Sequence, residues 1–183
     1  PIRSLNELSN IKEMEYLSIN HSEISAISEA DFDITITETL VLGFNDRLTD
    51  VSGIHLAEDI SKLYVYHNER LDEASSFAGV KSIEELTLGT LKNVDFLKSI
   101  NSINHCELID LDLQPAVLGN LQSVGDIVLI RIEGLFDLSI FDNVEFNGDL
   151  LELKDSGFSS LEGLDIELND SLDIVKLKNL NVE

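Results

Sequence analysis

The 183-residue chain has no tryptophan, one cysteine, one methionine, two prolines and only 12 lysines and arginines. Each shortage excludes something. A lone Cys106 cannot close an internal disulfide. It stands two residues before Leu108, in what reads as a turn leading into a strand, and is expected to be a buried small hydrophobe. The 12 basic residues face 35 Asp and Glu, for a formal charge of −23. That balance leaves no basic patch for nucleic acid or an anionic membrane surface. It is compatible with a basic protein partner, and it keeps an open-ended fold soluble. No apolar run approaches the ~20 residues of a transmembrane helix, and no signal-peptide pattern is present. The prolines are Pro1 and Pro115, and no low-complexity stretch interrupts the chain, so residues 1–183 read as a single domain.

The motifs of common chemistry are missing as well. His21, His55, His67 and His105 fall at unrelated places, without a metal-ligand spacing such as H-E-x-x-H. There is no phosphate-binding G-x-x-x-x-G-K-[ST] and no G-x-S-x-G nucleophile elbow. No catalytic residue, resident metal or cofactor is therefore expected, and the chain is not expected to be an enzyme. Asp110-x-Asp112 and the cluster Asp165, Glu167, Asp170 and Asp173 offer oxygen ligands of the kind Ca²⁺ takes. They lack a loop glycine in the required place and read as solvated acidic surface.

What is present is periodicity. A short apolar signature returns at Leu17-x-Ile19, Leu40-x-Leu42, Leu63-x-Val65, Leu86-x-Leu88, Leu111-x-Leu113, Ile130-x-Ile132, Leu151-x-Leu153 and Val175-x-Leu177, with gaps of 23, 23, 23, 25, 19, 21 and 24. Self-similarity at such a period marks a stacked-repeat solenoid, whose units bury their apolar faces only against neighbours. Each repeat opens with period-two alternation, as in Ile83-Glu84-Glu85-Leu86-Thr87-Leu88, which predicts a half-buried strand. Apolar residues then recur at every third position: Leu48, Val51 and Ile54; Leu71, Ala74, Phe77 and Val80; Val94, Leu97, Ile100 and Ile103; Leu138, Phe141 and Val144; Phe158, Leu161 and Leu164. That spacing predicts a 3₁₀ or turn-rich return path, in which side chains at i and i+3 eclipse.

The recurring pattern L-x-x-L-x-L-x-x-N followed by apolar residues at every third place resembles leucine-rich repeats of the internalin-like type and the related receptor L-domain repeats. The resemblance implies a right-handed, mostly β superhelix of about eight repeats of ~23 residues with one parallel sheet. A right-handed parallel β-helix is the alternative. The family's turn asparagine matches at Asn45 and Asn68; Ser22 and Ser156 stand there in two repeats, and Leu91, Ala116 and Leu135 in three more. The three-residue spacing already runs through Leu5, Leu8, Ile11 and Met14, and the chain closes at Leu180 and Val182 partway through a unit. The expectation from these ends is an excerpt of a longer polypeptide.

Residues between the anchors point outward from such a sheet. One outward column is expected to be Ser18, Val41, Tyr64, Thr87, Asp112, Arg131, Glu152 and Lys176; the next, Asn20, Gly43, Tyr66, Gly89, Gln114, Glu133, Lys154 and Lys178. The first half of this face gathers Tyr16, His21, Phe44, Tyr64, Tyr66 and His67, including every tyrosine of the chain. Tyrosine brings rigid contact area with a polar tip, so these six residues form the candidate binding site. The second half alternates in sign and is expected to pair with itself. The function expected is a non-catalytic recognition module for a protein or glycan, part of a secreted or cell-surface protein such as an adhesin. A structural spacer, or a cytoplasmic acidic inhibitor of a basic target, are the alternatives.

Overall fold

A computed structural model describes residues 5, 8–30, 32–72, 74–135, 137–141, 143–158, 160 and 174–178. The acidic cluster at 165–173, read as solvated surface, and the closing Leu180 and Val182 lie outside them. Among the described residues the alternating segments form ten strands: β1 (Glu13–Asn20), β2 (Ile34–Gly43), β3 (Ile54–Leu56), β4 (Asp59–Tyr66), β5 (Ser82–Gly89), β6 (Ser102–Asp112), β7 (Ser123–Glu133), β8 (Glu145–Phe146), β9 (Leu150–Lys154) and β10 (Ile174–Lys178). All belong to one parallel sheet in the order β1-β2-β4-β5-β6-β7-β9-β10, with β3 beside β2 and β8 beside β7. The chain is thus a β-solenoid, each rung laid beside the one before it.

Two apolar columns run the length of the sheet. Leu17, Leu40, Leu63, Leu86, Cys106, Ile127, Leu151 and Val175 are in register, as are Ile19, Leu42, Val65, Leu88, Leu108, Leu129, Leu153 and Leu177. From Leu17 to Leu153 every member is buried. Parallel rungs lie ~4.8 Å apart, so each branched side chain packs on its counterparts above and below.

The return path follows the three-residue rule. Leu71 donates its N–H to Asn68, Phe77 to Ala74, Val80 to Phe77, Leu97 to Val94, Ile100 to Leu97, Phe141 to Leu138 and Val144 to Phe141, at 2.9–3.2 Å. Four 3₁₀ turns are described, at Ser75–Phe77, Asp95–Ser99, Pro115–Leu118 and Ser139–Phe141. The same bonds join Leu5, Leu8 and Ile11 ahead of β1. Leu161 and Leu164 fall outside the described residues.

Two anchor pairs differ from the sequence reading. Leu111-x-Leu113 and Ile130-x-Ile132 are not the in-register anchors of their rungs; Cys106-x-Leu108 and Ile127-x-Leu129 are. Leu111 and Ile132 do pair with each other, one column farther along. Cys106 accordingly sits inside β6, not in a turn, and is buried among the anchors. Burial, with the neighbouring Glu107 charge, pushes its thiol up to about 12. No helix among the described residues is long and apolar enough to cross a membrane.

Candidate functional site

The corrected register redraws the outward face. Its first column is Ser18, Val41, Tyr64, Thr87, Glu107, Val128, Glu152 and Lys176. Asp112 and Arg131 do not belong to it. The next column holds Asn20, Gly43 and Tyr66 and, farther along, Gly89, Ile109, Ile130, Lys154 and Lys178, in place of Gln114 and Glu133. The second half of the sheet face is therefore more apolar and less alternating in charge than the sequence spacing implies.

Just past these columns the backbone turns left-handed once per rung. His21 (φ 51°), Phe44 (55°), His67 (51°), Thr90 (60°), Asp110 (53°), Arg131 (52°) and Asp155 (50°) occupy that corner. Glycine is the residue such a conformation favours, and it costs other residues about 1–2 kcal/mol. None of these seven corners uses it. The chain turns here because the following residue must swing back into the core, and at Asn45 and Asn68 that residue is a buried amide. Asn68 donates to the carbonyls of Leu42 (2.9 Å) and Tyr66 (3.0 Å) and accepts from the Asn45 side chain (3.1 Å) and backbone (3.2 Å). Asn45 donates to the Ile19 carbonyl at 2.8 Å and accepts from the Ser22 N–H at 3.0 Å and hydroxyl at 2.8 Å. The result is a ladder Ser22–Asn45–Asn68 in which each amide closes the corner of its neighbour. The same place on later rungs is taken by Leu91, Leu111, Ile132 and Ser156. Ala116 and Leu135, assigned there from sequence spacing, do not occupy it, because the register at Leu111 and Ile130 is displaced. Ser156 repeats the polar role, accepting from Ile132 N–H at 3.0 Å and donating to Lys154 at 2.9 Å.

Equal corners bring equal side chains together. His21 and Phe44 stack with centroids 4.7 Å apart and planes 6° from parallel; Phe44 and His67 stack at 4.6 Å and 17°. Tyr66 meets both Phe44 (5.4 Å, 86°) and His67 (6.0 Å, 85°) edge-on. Its ring leans over Gly43, where a Cβ would come within 2.9 Å of ring carbons, so a side chain at 43 would displace the ring. Four of the six sequence candidates, His21, Phe44, Tyr66 and His67, thus form one aromatic cluster. Phe44 remains 41% exposed within it.

The other two candidates stand apart from that cluster. Tyr64 lies on the first outward column and donates its hydroxyl to Glu85, which also accepts from Lys62 at 2.8 Å. Those two hydrogen bonds hold the Glu85 carboxyl below its usual range, Lys62's first. Partial burial, then the Glu85 contact, raises the Tyr64 phenol. Tyr16 is in register with Thr39, on the far side of the Leu17 column, and is 61% exposed.

The second half carries ion pairs, one at the left-handed corners and others on the outward columns. Arg131 grips Asp110 bidentately, with Nη2 to Oδ2 at 2.8 Å, and this holds the Asp110 carboxyl below its usual range. Glu152 takes Lys176 at 3.2 Å and Lys178 at 3.9 Å. The expected self-pairing is real at these places and fails at Asp112 and Glu133, like charges in register on neighbouring rungs. Beside them lies a groove of about 880 Å³ floored by Leu91, Leu111 and Ile132; nothing in the sequence spacing signalled it. Among the described residues no three His, Cys, Asp or Glu converge as a metal site. Compared with known proteins, no family profile, no curated protein and no solved structure matches this chain.

Proposed function

We propose that the chain is a non-catalytic recognition module that binds a protein partner through the aromatic cluster at the end of its first strands. The observation that carries this reading is Phe44. A bulky ring sits at φ 55°, where glycine would be unstrained, and stays 41% exposed. The left-handed corner recurs on seven rungs, but here it carries a large apolar ring that remains exposed. Strain of this kind clusters at ligand-binding sites. The flanking His21 and His67 hold the ring upright, so its position is set before a partner arrives, and less ordering is lost on binding.

A protein partner is favoured over a glycan by ring orientation. Both faces of Phe44 are covered, by His21 and His67, which leaves its edge for a ligand. Sugar rings stack on faces; protein side chains pack against edges as readily as faces. Tyr16 and Tyr64 extend the surface as outlying contacts. The resemblance to internalin-like repeats supports a secreted or cell-surface setting, such as an adhesin, by analogy alone.

The test compares three proteins against a panel of extracellular proteins and glycans: wild type, Phe44→Ala with Tyr66→Ala, and Val128→Ala with Ile130→Ala on the outward columns of the second half. Loss of a partner by about tenfold or more in the first variant, with binding kept in the second, is the expected result. A partner bound equally well by the aromatic variant would overturn the assignment.

A further inference from the structure

Beyond the aromatic cluster, the groove in the second half has the form of a peptide-binding channel. Its floor is Leu91, Leu111 and Ile132, of which Leu111 and Ile132 are in register on neighbouring rungs. One wall is built by left-handed corner residues, including Asp110 and Arg131; the other by residues two positions later, including Asp112 and Glu133. The channel exists because β6 and β7 do not stop at the corner, as β1, β2 and β4 do, but continue to Asp112 and Glu133. Spanning four rungs, it runs ~15 Å along the solenoid, the length of four or five extended residues.

Among the described residues the wall charges divide into those with and those without a cationic partner, Asp112 accepting a hydrogen bond only from the neutral Gln114 amide at 3.4 Å. Asp110 is neutralised by Arg131, and Lys92 on the rim is engaged by Asp72. Asp112 and Glu133 have no cationic partner among the described residues, yet their backbones are paired directly across neighbouring strands. Like charges placed so repel each other. A cation between them removes the repulsion and gains charge-assisted hydrogen bonds.

We infer that this groove takes an extended basic segment of a partner protein, with an arginine or lysine seated between Asp112 and Glu133. The floor receives the aliphatic stems of the basic side chains while their heads stay at the acidic rim. Planar guanidinium suits two adjacent carboxylates better than ammonium, so arginine is preferred.

The experiment uses the whole chain and an acetylated, amidated hexa-arginine peptide, followed by amide NMR shifts and by affinity at physiological salt. The groove variant is Asp112→Asn with Glu133→Gln. The control is Glu13→Gln with Glu15→Gln, which removes the same charge from β1 at the far end of the sheet. Shifts confined to the four groove rungs, an affinity loss of about tenfold or more in the groove variant and less than about twofold in the control are expected. Equal losses in both variants would overturn the site, because the peptide would then be sensing only the overall charge of −23. So would shifts scattered over the acidic surface, or Ca²⁺ producing the groove shifts and hexa-arginine failing to displace it.

Discussion

The first half of the solenoid repeats evenly and the second half does not. From Leu17 to Leu86 in-register residues fall 23 apart; from Leu86 to Val175 they fall 20, 21, 24 and 24 apart. Even spacing superimposes corner on corner, so an amide on one rung meets an amide on the next, and a ring meets a ring. The Ser22–Asn45–Asn68 ladder and the His21–Phe44–His67 stack are two consequences of one regularity. Uneven spacing asks for side chains that need no partner in a fixed position. Leu111 and Ile132 meet that need; with Leu91, still 23 residues after Asn68, they floor the groove that opens where β6 and β7 run on. Polar ladders demand exact repetition, whereas apolar packing tolerates drift because it is not directional.

The sharpest way to break this contrast is to impose the second half's residue on the first. Asn45→Leu leaves the Ser22 N–H and the Ile19 carbonyl without their partners. One buried and one half-buried polar group left unpaired should lower stability by about 3 kcal/mol in urea unfolding. A change below about 0.5 kcal/mol would show the two kinds of corner to be interchangeable.

Cys106 marks the point where even spacing ends, and it can be read through alkaline pH. Its folded pKa, about 12, lies above that of an exposed thiol. The unfolded chain therefore releases this proton first, near pH ~8.5. The stability contribution is full below that pH and is lost as pH rises toward the folded value. Between about pH 8 and pH 10, wild type should lose about 2 kcal/mol relative to Cys106→Val. Parallel stability curves would mean that the thiol is not sequestered from solvent.

Phe44→Gly separates stability from recognition in the first half. The substitution relieves a left-handed backbone worth about 1–2 kcal/mol and removes ring contacts of about 0.5–1.5 kcal/mol each. The net change should stay within about 1 kcal/mol by thermal unfolding, while partner binding is lost. A loss above about 2 kcal/mol would make the ring structural.

The smallest effect is expected in the second half, where the corner residues are ionic and partly exposed. Arg131→Ala should cost a few tenths of a kcal/mol near neutral pH, as half-exposed ion pairs do. Asp110 is held below its usual pKa by Arg131, so this contribution is present above the ordinary carboxylate range and disappears as pH falls through the lowered value. Wild type and variant should thus converge in acid unfolding curves; a gap that persists at low pH would assign the effect to packing of the arginine stem.

Legibility followed the same division. The strand columns from Leu17 to Leu86 and the 3₁₀ return through Leu71, Phe77, Leu97 and Phe141 were readable in advance, since each is a local pattern with its own period. Asn45 and Asn68 were marked only by the resemblance to leucine-rich repeats, as the matches to that family's turn asparagine. The register of β6 and β7 was not readable. Leu111 stands where the first half has asparagine, and with Leu113 it imitates an anchor pair; Ile132 does the same with the outward Ile130. Of the six site candidates, His21, Phe44, Tyr66 and His67 converge, whereas Tyr64 turns to Glu85 and Tyr16 stands on another column.

By itself the sequence determined that this chain is a solenoid with a parallel sheet and an aliphatic core, because hydrophobic period and repeat length are properties of the chain read one residue after another. Only the tertiary structure decided which apolar pairs form the columns, that the corners are left-handed without glycine, that the rings of His21, Phe44 and His67 stack, and that Asp112 and Glu133 stand side by side on one wall of a groove. Those depend on how one rung is hydrogen-bonded to the next. A left-handed corner breaks the two-residue alternation, and an apolar residue just beyond it leaves two registers with equally good patterns until the neighbouring rung selects one.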